Sequence, residues 1–188
     1  MKIASVLFLF GMLLTSCSHY SPKPRGYFRI DLPEKKYSLY NPSSCPFSFE
    51  YPVYARIVND ASPHAEPCWI NIEFPELNGK IHLSYKSIQN NFARYSEDAR
   101  VLAYKHSIKA DAITETLINK EGRVSGIKYD IEGDAASSVQ FFVTDSSKHF
   151  LRGALYFTVV THKDSLGPVI QFVEKDIDHL INTLKWKD

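Results

Sequence analysis

The sequence predicts an α+β fold: one domain with a mainly antiparallel sheet of about six or seven strands and two main packed helices. Three observations predict it. Short segments of alternating apolar and polar residues recur from residue 47 to about residue 160, as in strands with one buried face. Two stretches change to a 3.6-residue period, which marks amphipathic helices. Turn residues separate the strands, above all Asn78-Gly79 and the polar run Asp145 to Lys148.

At the amino end, Met1-Lys2 and "IASVLFLFGMLL" form a basic and then an apolar region of secretory-signal length. The run is too short for a spanning helix of about 20 residues. It ends in "LLTSC", Leu13 to Cys17, where small residues precede a cysteine as in a lipobox. Residues 1–16 are therefore expected to be a signal peptide and Cys17 the lipidated, palmitate-bearing first residue of the mature chain. At about 0.8 kcal/mol per buried methylene, three acyl chains make a permanent anchor. Residues 17–44 read as an extended Pro/Arg/aromatic segment, and 45–188 as the globular domain. Prolines 22, 24 and 33 forbid a helix in that segment. Tyr27, Phe28, Ile30 and Leu32 give it more apolar surface than a solvated tether carries, so Gly26 to Pro33 is expected to dock on its own domain or on a partner.

The domain opens with "FSFEY", which puts Phe47, Phe49 and Tyr51 on one side of a strand. "WINIEF" buries Ile70, Ile72 and Phe74, and after the turn "PELNGK" the segment "KIHLSY" buries Ile81, Leu83 and Tyr85, so these two should pair antiparallel. Ile88, Phe92, Tyr95, Ala99 and Leu102 form a helical stripe, with Ser87 as the candidate N-cap. Alternation returns around Ile113 to Ile118 and in "GIKYDIEG", where Ile127, Tyr129 and Ile131 face inward and Lys128, Asp130 and Glu132 outward. "SVQFFVT" and "HFLRGALYFTVV" follow, the second apolar on both faces and thus a central strand. The chain closes on a helix starting at Pro168, with Ile170, Val173, Ile177, Leu180 or Ile181, and Leu184 on one stripe. In element order this layout is similar to the Mog1/PsbP-like sandwich.

The overall charge balance implies no bulk polyanion partner. The chain has 22 basic and 21 acidic side chains, and loss of Lys2 with the signal makes it neutral, so no nucleic-acid partner is implied. With Cys17 used by lipid, Cys45 and Cys68 remain as a pair in an oxidising compartment, and a disulfide is expected. Closing that loop contributes roughly 3 kcal/mol in the chain-entropy model. The competing arrangement, a metal site with His64, lacks a fourth ligand. No phosphate loop, nucleophile elbow, His-Glu-x-x-His or Cys-x-x-Cys occurs, and the seven histidines are scattered. Glu174, Asp176 and Asp178 read as the solvated face of the last helix. Hence no catalytic residue, metal ligand or cofactor is assigned. "DSL" at Asp164 to Leu166 matches the Asp-Ser-aliphatic pattern for O-glycosylation in Bacteroidetes, which makes Ser165 a candidate site in an expected surface loop.

"Y-x-P-K-P-R-G-Y-F-R-I-D-L-P-x-x-x-Y", from Tyr20 to Tyr37, resembles the signature of the GldD gliding-motility lipoproteins of Bacteroidetes. The likeness extends through "CPFSFEYP" at Cys45 to Pro52, "CWINIEFP" at Cys68 to Pro75, and Ile81 to Lys86. It implies a lipoprotein needed for gliding, associated with the type IX secretion and motility apparatus and without known enzymatic activity. Ser18 in place of aspartate after Cys17 resembles the sorting pattern for the outer membrane. The lack of acids in "SHYSPKPRG" sets the chain apart from surface-exported lipoproteins, so it is expected to face the periplasm. The functional reading is a non-enzymatic assembly or scaffold component with Arg25, Tyr27, Phe28 and Arg29 as a partner-binding patch. The alternative is a binder of a small hydrophobic or glycan ligand in an aromatic-lined pocket.

Overall fold

The computed structural model describes residues 30–158 and 163–187. In order these form β1 (Tyr37–Tyr40), β2 (Phe47–Pro52), β3 (Arg56–Asn59), β4 (Ile70–Phe74), β5 (Gly79–Ser87), α1 (Phe92–Tyr104), β6 (Ala110–Lys120), β7 (Val124–Gly133), β8 (Ser137–Thr144), β9 (His149–Phe157), α2 (Lys163–Thr183) and β10 (Lys185–Trp186). Seven strands make one antiparallel sheet in the order β3-β4-β5-β9-β8-β7-β6, and β1-β2-β10 make a second, smaller one. This is the α+β architecture the alternation predicts. The doubly apolar β9 takes the middle position, where both of its faces are covered.

Each face of the large sheet has its own core. On one, Ile72, Leu83, Phe141 and Leu155 pack against Phe47 and Phe49 of β2 and against Val173, Ile177 and Leu180 of α2. Fully burying such a side chain contributes about 1.5–3 kcal/mol. On the other, Tyr129, Ile131, Phe142 and Phe150 meet α1 through Ala99 and Ala103, with the Phe142 and Phe150 rings stacked at 5.1 Å. Alanine at those two helix positions lets α1 lie close to the sheet.

The turn between β4 and β5 is a single 3-10 turn over Pro75–Leu77 rather than a two-residue loop. Asn78 takes the left-handed conformation there (φ 51), and Gly79 is already the first residue of β5. A Cβ at Gly79 would come within 2.9 Å of the Phe157 ring, so the glycine serves close packing. The Asp145 to Lys148 turn forms as expected: Asp145 Oδ1 accepts from the backbone N–H of Ser147, Lys148 and His149.

Several expectations are corrected. Ser87 ends β5 and caps no helix; α1 starts at Phe92, because Ile88 is still tied by its N–H to Lys148 O at 2.8 Å. The buried stripe of α1 ends on Ala103 rather than Leu102, which is 37% exposed. α2 begins at Lys163, so Pro168 lies inside it and Asp164 to Leu166 are helical rather than loop. Lys128, expected to face solvent, is 9% exposed, and Asp176 only 2%. The packed unit also reaches back before Cys45, since Leu39 of β1 pairs with Glu50 of β2.

Candidate functional site

The segment leading into β1 forms a strap held to α2 by one buried carboxylate. Lys35 Nζ lies 2.6 Å from Asp176 Oδ1. It also donates to the Phe172 carbonyl at 2.8 Å and to the Tyr54 hydroxyl at 3.0 Å, and sits 3.4 Å from the centre of the Phe172 ring. The same carboxylate accepts from Tyr37 at 3.0 Å and from Tyr54 at 2.5 Å. Partial burial, and then the Asp176 carboxylate, push the Tyr37 phenol up to about 12 and the Tyr54 phenol higher still. Burial lowers the Lys35 pKa against the opposing pull of Asp176. Both hydroxyls therefore stay protonated donors. With three donors on one carboxylate, the cluster is a structural tie rather than an acid-base pair.

Further along the strap's path, Tyr37 stacks on His179 at 3.6 Å, and His179 Nε2 lies 2.7 Å from Glu50 Oε2. A second polar tie joins β7 to α2: Lys128 Nζ reaches Glu174 at 2.8 Å, Asp178 at 3.2 Å and Asp130 at 3.4 Å. Burial opposes the charge on Lys128, but the three carboxylates outweigh it and hold its pKa above the usual lysine value. The expected solvated acids of α2 thus serve as the anchor points of that helix.

The opposite side of the large sheet carries a groove of about 580 Å³, floored by β5 and β9 and walled by α1. Trp69, Tyr95, Phe150 and Tyr156 line it, together with His82 and Arg152. It exists because α1 covers the β7 to β9 side and stops short of β4.

Of the residues singled out from sequence, Cys45 and Cys68 are bonded to each other, with Cα atoms 5.7 Å apart. That bond fastens the start of β2 to the start of β4. Cys17, Arg25, Tyr27, Phe28 and Arg29 lie outside the described residues, as does the side chain of Ser165. Sequence reasoning missed Lys35, Tyr37, Tyr54 and Asp176. A signal was present for the last: Asp176 sits three residues after Val173 and four before Leu180, on the apolar stripe itself. A carboxylate there needs a partner.

These features define an α+β sandwich, one large sheet covered on both faces, with an N-terminal strap tied onto its terminal helix. The solution structure of cyanobacterial PsbP (CyanoP) from Synechocystis sp. PCC 6803 shares this fold, with a TM-score of 0.51 at 11% identity over 93% of this chain and 99% of that one. The chain belongs to the gliding motility lipoprotein GldD family, whose model matches residues 17–186. Membership implies a lipid-anchored envelope protein with a role in gliding motility. Comparison with curated proteins gives no significant match.

Proposed function

We propose that the chain is a non-enzymatic assembly or scaffold component of the envelope apparatus for gliding and type IX secretion. In this reading it is held by lipid at Cys17 in the outer membrane, faces the periplasm, and has other envelope proteins as partners. The observation that carries the reading is the strap. Lys35 is tied down on Asp176, yet Ile30 and Leu32, at 39% and 37% exposure, are left open to solvent directly after Arg25, Tyr27, Phe28 and Arg29. Aromatic and arginine side chains are enriched in interface hot spots, and a partner seated on them would also cover the two aliphatic neighbours. The tie fixes where the tether leaves the domain, and the covalent chain from Cys17 to Ile30 reaches at most about 45 Å. The domain would then work close to the membrane, with Lys23, Arg25 and Arg29 near anionic headgroups.

The test is in-cell crosslinking of the tagged lipoprotein and mass spectrometry of the captured proteins, with the four residues intact and then all changed to alanine. Gliding or secretion proteins captured by the first and lost from the second at equal abundance support the scaffold. Equal capture by both removes the docking patch from the proposal. Ser165 is retained as a proposed O-glycosylation site; an intact mass that changes only by the substitution in Ser165→Ala removes it.

A further inference from the structure

The groove on the α1 side of the sheet differs from the strap in one respect: it holds a cation without an acid. Its floor is set by register, with Ser84 of β5 opposite Arg152 of β9 and His82 opposite Ala154. Its other cations are accounted for. Arg94 lies 3.8 Å from Asp98, and Lys86 pairs with Glu66. Among the described residues no carboxylate pairs with Arg152, whose guanidinium donates to the neutral amide oxygen of Gln140 and lies beside the Tyr156 hydroxyl. Burial holds the Arg152 pKa below its ordinary value, an effect that Tyr156 offsets only in part. Behind it, Gln140 is 1% exposed and its Nε2 has no partner. Burial, and then Lys80, lower the His82 pKa, so at neutral pH the imidazole is an uncharged donor or acceptor.

We propose that this groove binds a small monocarboxylate with an aromatic or other apolar body, its carboxylate seated on Arg152. The guanidinium fork matches a carboxylate in two parallel hydrogen bonds and would exchange a neutral acceptor for a charged one. A dianionic phosphate fits less well: it would meet one unpaired cation while Asp60 and Asp98 line the same groove. The body of the ligand follows from the walls. Tyr95, Leu102 and Phe150 give apolar surface, Ala99 and Ala154 leave space between them, and Tyr156 is held edge-on to His82 at 5.5 Å. Pockets of this kind, largely apolar with a few convergent polar groups, take small molecules. The site lies on the opposite side of the sheet from the strap, so it stands or falls independently of the scaffold reading.

The experiment is saturation-transfer NMR on the full-length lipidated protein in liposomes, with empty liposomes as the blank. The probes are 3-phenylpropionate, its amide 3-phenylpropionamide, benzyl phosphate and glucuronate. Transfer to the ring protons of 3-phenylpropionate is expected, with binding at least about tenfold weaker for the amide and for Arg152→Gln, the loss of one charge-assisted pair. Leu102→Trp, which fills the groove from a part-exposed position on α1, should abolish transfer without changing the melting temperature. Equal binding of the amide, undiminished binding to Arg152→Gln, or no transfer to the wild type overturns the proposal. Tighter binding of benzyl phosphate overturns the choice of carboxylate, and tighter binding of glucuronate overturns the apolar body. Should Arg152→Gln fail to fold, transfer retained in Leu102→Trp overturns it alone.

Discussion

Replacing Lys35 by methionine tests whether the strap is an integral part of the fold. The stem keeps its bulk, but Asp176, 2% exposed, loses its only described cationic partner. At 2.6 Å and an effective dielectric of about 20, the pair attraction is about 6 kcal/mol, most of it offset by the desolvation of both ions. Removing one partner of a buried pair costs about 3–5 kcal/mol. Here the figure is smaller, about 2–4 kcal/mol, since Lys35 is 26% exposed and Tyr37 and Tyr54 still donate to the carboxylate. For a chain of this size that is a fall of roughly 5–12 °C in melting temperature. The assay is urea denaturation at pH 7 with the disulfide intact, run as a cycle of Lys35→Met, Asp176→Asn and the double variant. A coupling of at least about 1.5 kcal/mol is expected between groups in direct contact. Limited proteolysis should also cut between Lys36 and Tyr37 faster in Lys35→Met. A loss below about 0.5 kcal/mol, or additive effects of the two substitutions, would refute the tie and leave the tyrosines as the groups that hold Asp176.

Lys128→Met leaves Asp130, Glu174 and Asp178 facing one another and should cost about 2–3 kcal/mol at pH 7. Burial already raises the Asp130 pKa, and a group raised in the folded state favours folding below its unfolded pKa, so the variant should recover stability in urea melts as pH falls from 7 to 5. Asp145 runs the other way. Burial pushes its carboxyl up, but the backbone N–H groups of His149, Lys148 and Ser147 and the Ser147 hydroxyl together outweigh it and hold the carboxyl well below the usual range. Its stabilisation is present above the unfolded value of about 3.9 and lost as pH falls toward the folded one. The stability gap between wild type and Asp145→Asn, about 1 kcal/mol after solvent screening, should be flat from pH 5 to 7 and narrow progressively below about pH 4; a gap that stays constant from about pH 5 down to about pH 2 contradicts this. Gly153→Ala would set a methyl 2.3 Å from the buried Phe141 ring and should cost about 1–3 kcal/mol in thermal melts, whereas an unchanged melting temperature would mean the ring moves freely.

The main strands were legible because their alternation is a direct consequence of one buried face, as at Ile70, Ile72 and Phe74, or of two, as in β9. The left-handed Asn78 ahead of Gly79 was legible as turn chemistry, though not its 3-10 geometry. Strands β1, β3 and β10 were not. Each has two to four residues, too few to display a period, and each forms only against a longer neighbour, as Lys185 and Trp186 do against Ser48 and Phe47. Lys128 was misread because alternation says which side a residue takes and not whether a helix covers that side. For the site, sequence pointed to residues 25–29 by composition and resemblance. Aromatic content allowed a lined pocket, but its place was not legible, since Arg152, His82 and Tyr95 come from three separate elements.

Information readable from the linear order is therefore local or covalent: the periods of strand and helix, the turn residues, the cysteine pair and the family signature. Tertiary structure alone decided which polar groups became interior. Asp176 is an ion-pair anchor and Arg152 an unpaired cation only because packing α2 and α1 on opposite faces of one sheet removes water from the first and leaves a gap beside the second. The energy of a charged group depends on what surrounds it in space, and a linear order of residues does not contain that distance.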